Sequence, residues 1–349
     1  MKTRAYVLNA PSSPLEETVR PLPAPQAGEV VVEVTACGLC HTDLGFARGS
    51  VAPRHDLPLV LGHEIVGTVV EAGSGAEHLL SQPVLVPAVM PCGDCAFCRA
   101  GRGNACPAQK MPGNDIDGGF QTHLLVPAHA LVSLAGAPPS IALDSLSVVA
   151  DAVSTAYQAV LRSGLERGDI AFVVGGGGVG GYVVQIAHAL GAKTVVCDVH
   201  PERLDQLPAD ARIGVQGRDV RDVKKELHGL ARGFGVPSLR YRIFECSGTA
   251  GGQLQAYALL AQGATLMLVG FTREPVQVRL SNLMAFDATM AGTWGCPIDA
   301  YPAVLSLIYE GKVKLEPFIE RAPMSRLNEW LDALEEHRLN RRLVLDPNA

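Results

Sequence analysis

The stretch DIAFVVGGGGVGGYVVQIAHALGAKTVVCDVHPERL, residues 169–204, decides the fold. It reads as an apolar strand, a glycine turn, an apolar helix and a second apolar strand, which is the alternation of a parallel, doubly wound α/β sheet. From Ile170 to Ala192 there is no Asp, Glu, Lys or Arg, a run that on length alone could cross a bilayer. Six glycines crowd between Gly175 and Gly181. A buried strand, a tight turn and a buried helix fit that pattern better than a membrane span.

The turn carries chemistry of its own. Gly175, Gly177 and Gly180 match G-x-G-x-x-G, with Gly178 and Val179 between the last two. Glycine runs are common, so the match gains weight from its context: a strand before it, a helix after it, and Asp198 at the end of the next strand. Gly175 is expected to make the tight turn, Gly177 to let the backbone approach a pyrophosphate, and Gly180 to allow close helix–strand packing. The helix N-terminus then offers free N–H groups to the pyrophosphate. A carboxylate at Asp198 accepts both adenine-ribose hydroxyls and repels a 2′-phosphate, which favours NAD over NADP.

Further apolar strands follow at RIFECSG and ATLMLVGF, with helical stretches between. The first 150 residues have a different texture, rich in Val, Gly and Pro, with short runs such as GEVVVEVTACG and EIVGTVVEAG that read as strands and turns. The amphipathic LNEWLDALEEHRLN near the C-terminus is placed back with that first domain. No internal repeat or low-complexity segment interrupts the chain.

Composition sets the compartment and excludes partners. The chain has 349 residues, 48% hydrophobic and 18% charged, enough for about two domains with real cores. A formal charge of −6 gives no basic field for nucleic acid or anionic lipid. The opening MKTRAYVLNAPSS has no apolar core of a secretory signal, so a cytoplasmic protein, without membrane or nucleic-acid partners, is expected. Cytosolic thiols stay reduced, and closely spaced cysteines there point to metal. In CGDCAFCRAGRGNAC, residues 92–106, the cysteines Cys92, Cys95, Cys98 and Cys106 are spaced C-x2-C-x2-C-x7-C. Four thiolates suit the closed tetrahedral shell of a structural zinc. An iron–sulfur cluster is the competing reading, less favoured because no proline directly follows a C-x3-C.

A second constellation lies upstream in CGLCHTD (37–43) and LGHE (61–64). These two motifs, the four-cysteine loop and GGGGVGG occur in the order and spacing of the zinc-dependent medium-chain alcohol dehydrogenases, and the chain resembles that family over essentially its whole length. The resemblance implies a GroES-like, β-rich catalytic domain at residues 1–151 and 296–349, with a Rossmann NAD-binding domain at 152–295. It implies a catalytic zinc on Cys40, His63 and Asp151, the last in ADAVSTAYQAV at a position often held by cysteine, and so two zinc ions per subunit. Cys37 is then structural, and Asp43 and Glu64 orient ligands, with Glu64 a transient ligand. Thr42 matches the hydroxyl that takes the alcohol proton during hydride transfer to the nicotinamide. Thr155, Arg203 and Arg341 match cofactor contacts. Gly45 stands where many relatives have the histidine that ends the proton relay.

Within the family, MPGNDIDGGFQTH, FECSGT, LSNLMAFDA and GTWGCP resemble the dehydrogenases that oxidise the ring hydroxyl of a cyclic unsaturated acyl-CoA in anaerobic aromatic catabolism. This implies a CoA thioester substrate, with Lys224, Lys225, Arg338, Arg341 and Arg342 as candidates for its phosphates. Leu283, Met284, Phe286 and Trp294 are candidates to line a ring pocket, against plain core packing. A simple alcohol or polyol as substrate, and a non-catalytic nucleotide-binding relative, are the alternatives. Family members are dimers or tetramers, so a homodimer or homotetramer is expected.

Overall fold

A computed structural model describes residues 1–349, which divide into two compact units. The first comprises Met1–Asp151, Gly295–Leu305 and Phe318–Ala349. Its main sheet runs in the order Ile319–Pro323, Arg342–Asp346, Glu29–Gly38, Glu64–Ala72, Pro83–Val86 and Val132–Ser133, with His123–Pro127 pairing on Glu29–Gly38. A three-stranded sheet of Glu16–Pro21, Lys2–Leu8 and Leu59–Val60 completes its β content. Valine-rich strands bury themselves here: Val30, Val32, Val34, Ile65, Val84 and Val86 join Phe120, Leu124 and Leu345 in one core. The chain ends meet because Arg342–Asp346 pairs antiparallel with Glu29–Gly38, Val344 opposite Gly38 and Leu345 opposite Cys37.

One irregularity in this sheet sets up chemistry. The pairing of Glu29–Gly38 with Glu64–Ala72 shifts register between Val31 and Val32 and again between Val34 and Ala36, after which Gly38 stands opposite Glu64. Such bulges bend a strand and re-aim the residues beyond them. They bring the end of the first strand against the start of the second, and the residues just outside those ends are Cys40 and His63.

The second unit comprises Ala152–Trp294 and Ser306–Pro317. Its strands are β1 (Ile170–Val174), β2 (Lys193–Asp198), β3 (Ala211–Gly214), β4 (Tyr241–Glu245), β5 (Thr265–Leu268) and β6 (Thr289–Gly292). They form one sheet in the order β3-β2-β1-β4-β5-β6, every pair parallel. This is the doubly wound order in which the sheet reverses direction of growth between β1 and β4. Helices α1 (Ala152–Arg162) and α2 (Gly178–Ala189) pack together, as do α3 (Val220–Gly233) and α4 (Ala250–Ala258). β1 is buried throughout because neighbours flank both edges and helices cover both faces. Ile170, Phe172 and Val174 face the α3–α4 core with Val223, Leu227 and Ala256, so Ala171 and Val173 face the other layer.

The charge-free stretch 170–192 is thus a strand, a turn and a twelve-residue helix. No helix of the protein is long and apolar enough to cross a membrane. Residues Ser306–Pro317 cluster with the second unit, inside the range that the sequence reading gave wholly to the first. A polar clasp joins it there: the Lys314 N–H donates to Gln185 Oε1 on α2 at 2.8 Å, and Gln185 Nε2 donates back to Lys314 O at 3.3 Å.

Candidate metal centres and dinucleotide crevice

The four loop cysteines converge. Their sulfurs are 3.4 Å apart for Cys95–Cys98, 3.5 Å for Cys92–Cys106, 3.7 Å for Cys95–Cys106 and 3.9 Å for Cys92–Cys98. A tetrahedral ion about 2.3 Å from each thiolate requires edges of about 3.8 Å, so the cage has single-zinc size. A cluster of several irons needs its sulfurs further apart than the 4.8 Å that encloses all four here, which removes the competing reading. The loop is shaped by Gly93 and Gly101, at φ 88° and 69°, and by a short helix, Ala96–Arg99, capped by Cys95. The thiols differ in acidity: the backbone N–H of Cys98 draws Cys95 down to about 7, and the Asp94 carboxylate pushes Cys92 up to about 12.

The second group joins three distant segments. Cys40 caps the helix His41–Ala47, His63 precedes the strand Glu64–Ala72, and Asp151 follows the 3-10 turn Asp144–Ala150. Their ligand atoms lie within 4.8 Å of one another, with His63 Nε2 3.5 Å and Cys40 Sγ 4.0 Å from Asp151 Oδ2. Asp43 fixes the imidazole. Fully buried, it receives His63 Nδ1–H at 3.1 Å and the backbone N–H groups of Gly62 and Cys40 at 3.0 Å each. That bond assigns the proton to Nδ1 and aims the Nε2 lone pair at the trio. His63 Nε2 is buried and has no hydrogen-bond partner, which is the signature of a donor shaped for a metal ion. Asp151, with 21% of its side chain exposed, forms the accessible edge of the group.

A charged pair lies behind the trio that the sequence reading did not anticipate. Arg342 Nη1 donates to Glu64 Oε1 at 2.8 Å, with 8% and 0% of the side chains exposed. Burial works against the guanidinium charge, but Glu64, Cys40 and Asp151 outweigh it and hold Arg342 well above the ordinary arginine value. A Cβ on Gly38 would fall 2.1 Å from Glu64 Oε2, so only glycine leaves Glu64 its place. Arg342 is therefore unavailable as the CoA-phosphate contact suggested by sequence, while Arg341 next to it is exposed. The one signal in the sequence was a charge directly ahead of the apolar run LVL in the strand RLVLD.

Thr42 is half-buried with its hydroxyl 3.8 Å from Cys40 Sγ. At Gly45 the space is closed by Ser50, whose hydroxyl donates to Gly45 O at 3.1 Å and would sit 3.3 Å from an added Cβ.

In the second unit the glycines divide the work as their positions require. Gly175 has φ 94°, and a Cβ there would meet Ser247 N at 2.7 Å; one on Gly180 would meet Gly175 O at 1.8 Å. A Cβ on Gly177 would meet nothing, so the backbone there is open to an approaching group. Gly178 and Val179 form the first turn of α2. Asp198 is no solvated strand end: it is 7% exposed, Oδ2 accepts from Gly176 N at 2.7 Å and Oδ1 from His200 N at 2.9 Å. Each oxygen keeps a lone pair for a sugar hydroxyl. Thr155 lies half-buried on α1 and Arg203 half-buried just beyond β2.

The remaining candidates scatter. Lys224 is half-buried on α3, its pKa lowered by burial, whereas Lys225 is exposed and Arg338 pairs with Glu336. Met284 (79%) and Trp294 (49%) are exposed rather than core, while Leu283 and Phe286 pack partly on the core of the second unit.

Residues 26–136 match the alcohol dehydrogenase GroES-like domain and residues 178–310 the zinc-binding dehydrogenase family. An alcohol dehydrogenase of Geobacillus stearothermophilus is 29% identical over 348 residues, 98% of each chain. D-arabinose 1-dehydrogenase (NADP(+)) of Saccharolobus solfataricus is 28% identical, covering 99% of this chain and 98% of that protein. Among solved structures, the alcohol dehydrogenase of Aeropyrum pernix superposes with a TM-score of 0.87 at 28% identity, covering 99% of this chain and 100% of the other.

Proposed function

This chain belongs to the zinc-dependent medium-chain alcohol dehydrogenases, and from that premise we propose that it oxidises an alcohol with NAD at a zinc held by Cys40, His63 and Asp151. The observation that carries the reading is the buried Nε2 of His63, which makes no hydrogen bond and lies beside a thiol and a carboxylate. Zinc when bound supplies a Lewis acid that acidifies the substrate alcohol, and NAD supplies the hydride acceptor. Asp43 holds His63 in the required tautomer, the Glu64–Arg342 pair keeps a neutral wall behind the donors, and Thr42 takes the alcohol proton. A second zinc on Cys92, Cys95, Cys98 and Cys106 staples its loop. The Asp198 carboxylate selects NAD over NADP.

For the substrate, the four stretches quoted above support 6-hydroxycyclohex-1-ene-1-carbonyl-CoA, oxidised at its ring hydroxyl to the 6-oxo compound; the relatives named here carry alcohol and arabinose names. The CoA handle, remote from the reacting carbon, would lend binding energy to orient the ring. NADH formation from this thioester is expected to exceed that from free cyclohexenol and short linear alcohols by orders of magnitude. Comparable efficiency with the free alcohols would withdraw the CoA substrate and leave a dehydrogenase of simple alcohols.

The open edge of β6, with exposed Met284 and Trp294 in the segments before and after it in sequence, supports a homo-oligomer, to be read by analytical ultracentrifugation. Nine free thiols suit the reducing cytoplasm.

A further inference from the structure

A buried carboxylate at the carboxyl end of the sheet serves neither metal group. Glu245, the last residue of β4, is 0% exposed. Its Oε1 accepts from Ser247 N at 2.8 Å, Ser247 Oγ at 2.6 Å and Gly248 N at 3.2 Å. Its Oε2 is buried without a hydrogen-bond partner. The same residue's carbonyl accepts from Val269 N at 2.9 Å and Gly270 N at 3.0 Å, just beyond β5. One residue therefore fastens the loops after two adjacent strands.

The packing around it leaves no slack. A Cβ on Gly270 would fall 2.3 Å from Gly248 N and 2.8 Å from Glu245 Oε2, and one on Gly248 would fall 2.9 Å from Phe271 O. One on Gly175 would strike Ser247 N. The glycine turn and both loops thus meet backbone to backbone around this carboxylate. The network also runs outward: Ser247 Oγ lies 3.0 Å from Thr249 Oγ1, which caps α4 by accepting from Gly252 N at 3.0 Å. Burial pushes the Glu245 carboxyl up, and the Ser247 and Gly248 donors pull against it. A carboxylate with one oxygen unpaired is costly to bury, and a plain loop staple needs no charge.

Its position says what the clamp serves. The reversal between β1 and β4 splits the sheet into two mononucleotide halves. The β1–β3 half carries the glycine turn and Asp198, which take the pyrophosphate and the adenine ribose. The loops held by Glu245 follow β4 and β5, so they border the other half. We propose that Glu245 is a positioning residue for the nicotinamide half of the dinucleotide, holding residues 246–249 and 269–271 in register with the glycine turn. This rests on the NAD reading above, and the exposed Phe271 ring (70%) belongs to the loop so held.

The test compares two ligands that share the adenosine half, NADH and ADP-ribose, by calorimetry on the intact protein. In Glu245→Gln the isosteric amide keeps one acceptor but places an N–H donor group where Oε2 stands. NADH is expected to bind about tenfold more weakly while ADP-ribose changes less than about twofold. Ser247→Ala, at an exposed residue, removes one donor and should shift the same ratio by about threefold, deciding the matter if the first variant fails to fold. Unchanged affinity for NADH, or equal losses for both ligands, would overturn the proposal. Binding of neither ligand by the unaltered protein would instead overturn the NAD reading.

Discussion

The two metal groups are built by opposite means. The four-cysteine loop draws every donor from fifteen consecutive residues, folds around them with two left-handed glycines, and leaves three of its four cysteines half-exposed. The trio draws Cys40, His63 and Asp151 from segments far apart in sequence, buries the first two, and surrounds them with Asp43, Glu64 and Arg342. Four thiolates complete a tetrahedron and leave no place for a substrate, whereas three donors with one accessible edge leave one open. The proposed roles follow from this difference: the closed local cage suits a staple, and the open non-local group suits a reaction site. The outer layer marks the difference too: only the trio has a fully buried carboxylate ordering its imidazole.

That contrast can be broken at several points. The largest effect should come from Asp151→Ala, which lowers NAD-dependent turnover by on the order of a thousandfold, because the missing ligand costs several kcal/mol of transition-state stabilisation. Melting temperature should hardly move, since the fold around the trio rests on the sheet. Cys95→Ser is expected to do the reverse, lowering the melting temperature by roughly ten degrees or more, because structural zinc contributes folding energy. A variant of the loop that lost turnover and kept its melting temperature would erase the distinction.

Arg342→Met probes the outer layer. Removing the guanidinium that offsets the buried Glu64 charge beside the donors should weaken zinc binding at the trio by about 10–100-fold, with the loop zinc unaffected. Zinc titration monitored against a chelator separates the two sites. Smaller still is a pH effect outside both groups. Burial lowers the His228 pKa, so the folded protein favours the neutral ring; its stability contribution is complete above the ordinary imidazole value and is lost as pH falls through the lower folded value. Between about pH 7 and about pH 5 the native protein should lose more stability than His228→Phe does, as read by urea unfolding. An equal slope in both would place the acid sensitivity elsewhere.

How far each region could be read from sequence follows the same division. The glycine turn, its flanking strands and the four-cysteine loop are local patterns, and the structure holds them as short-range geometry. Cys40, His63 and Asp151 are unremarkable singly, and only the family resemblance grouped them. Their neighbours escaped because they depend on register. Nothing near Gly38 announces that Glu64 fills the space above it, since that follows from two bulges between strands thirty residues apart. Arg342 was read as a candidate phosphate contact because its buried partner lies 278 residues away. Glu245 was invisible for a similar reason: its loop partners come from the ends of two strands, and one of them, Gly270, looks like an ordinary turn residue. Met284 and Trp294 read equally well as pocket lining or core packing, and the structure leaves both exposed.

One chain is proposed to carry a closed structural zinc and a separate open catalytic zinc. Metal content measured side by side on the intact protein, Asp151→Ala and Cys95→Ser tests it most directly. Two zinc ions per chain are expected in the intact protein and one in each variant, with Cys95→Ser retaining turnover in whatever fraction stays folded. A single zinc in the intact protein, or one substitution that empties both sites, would contradict it.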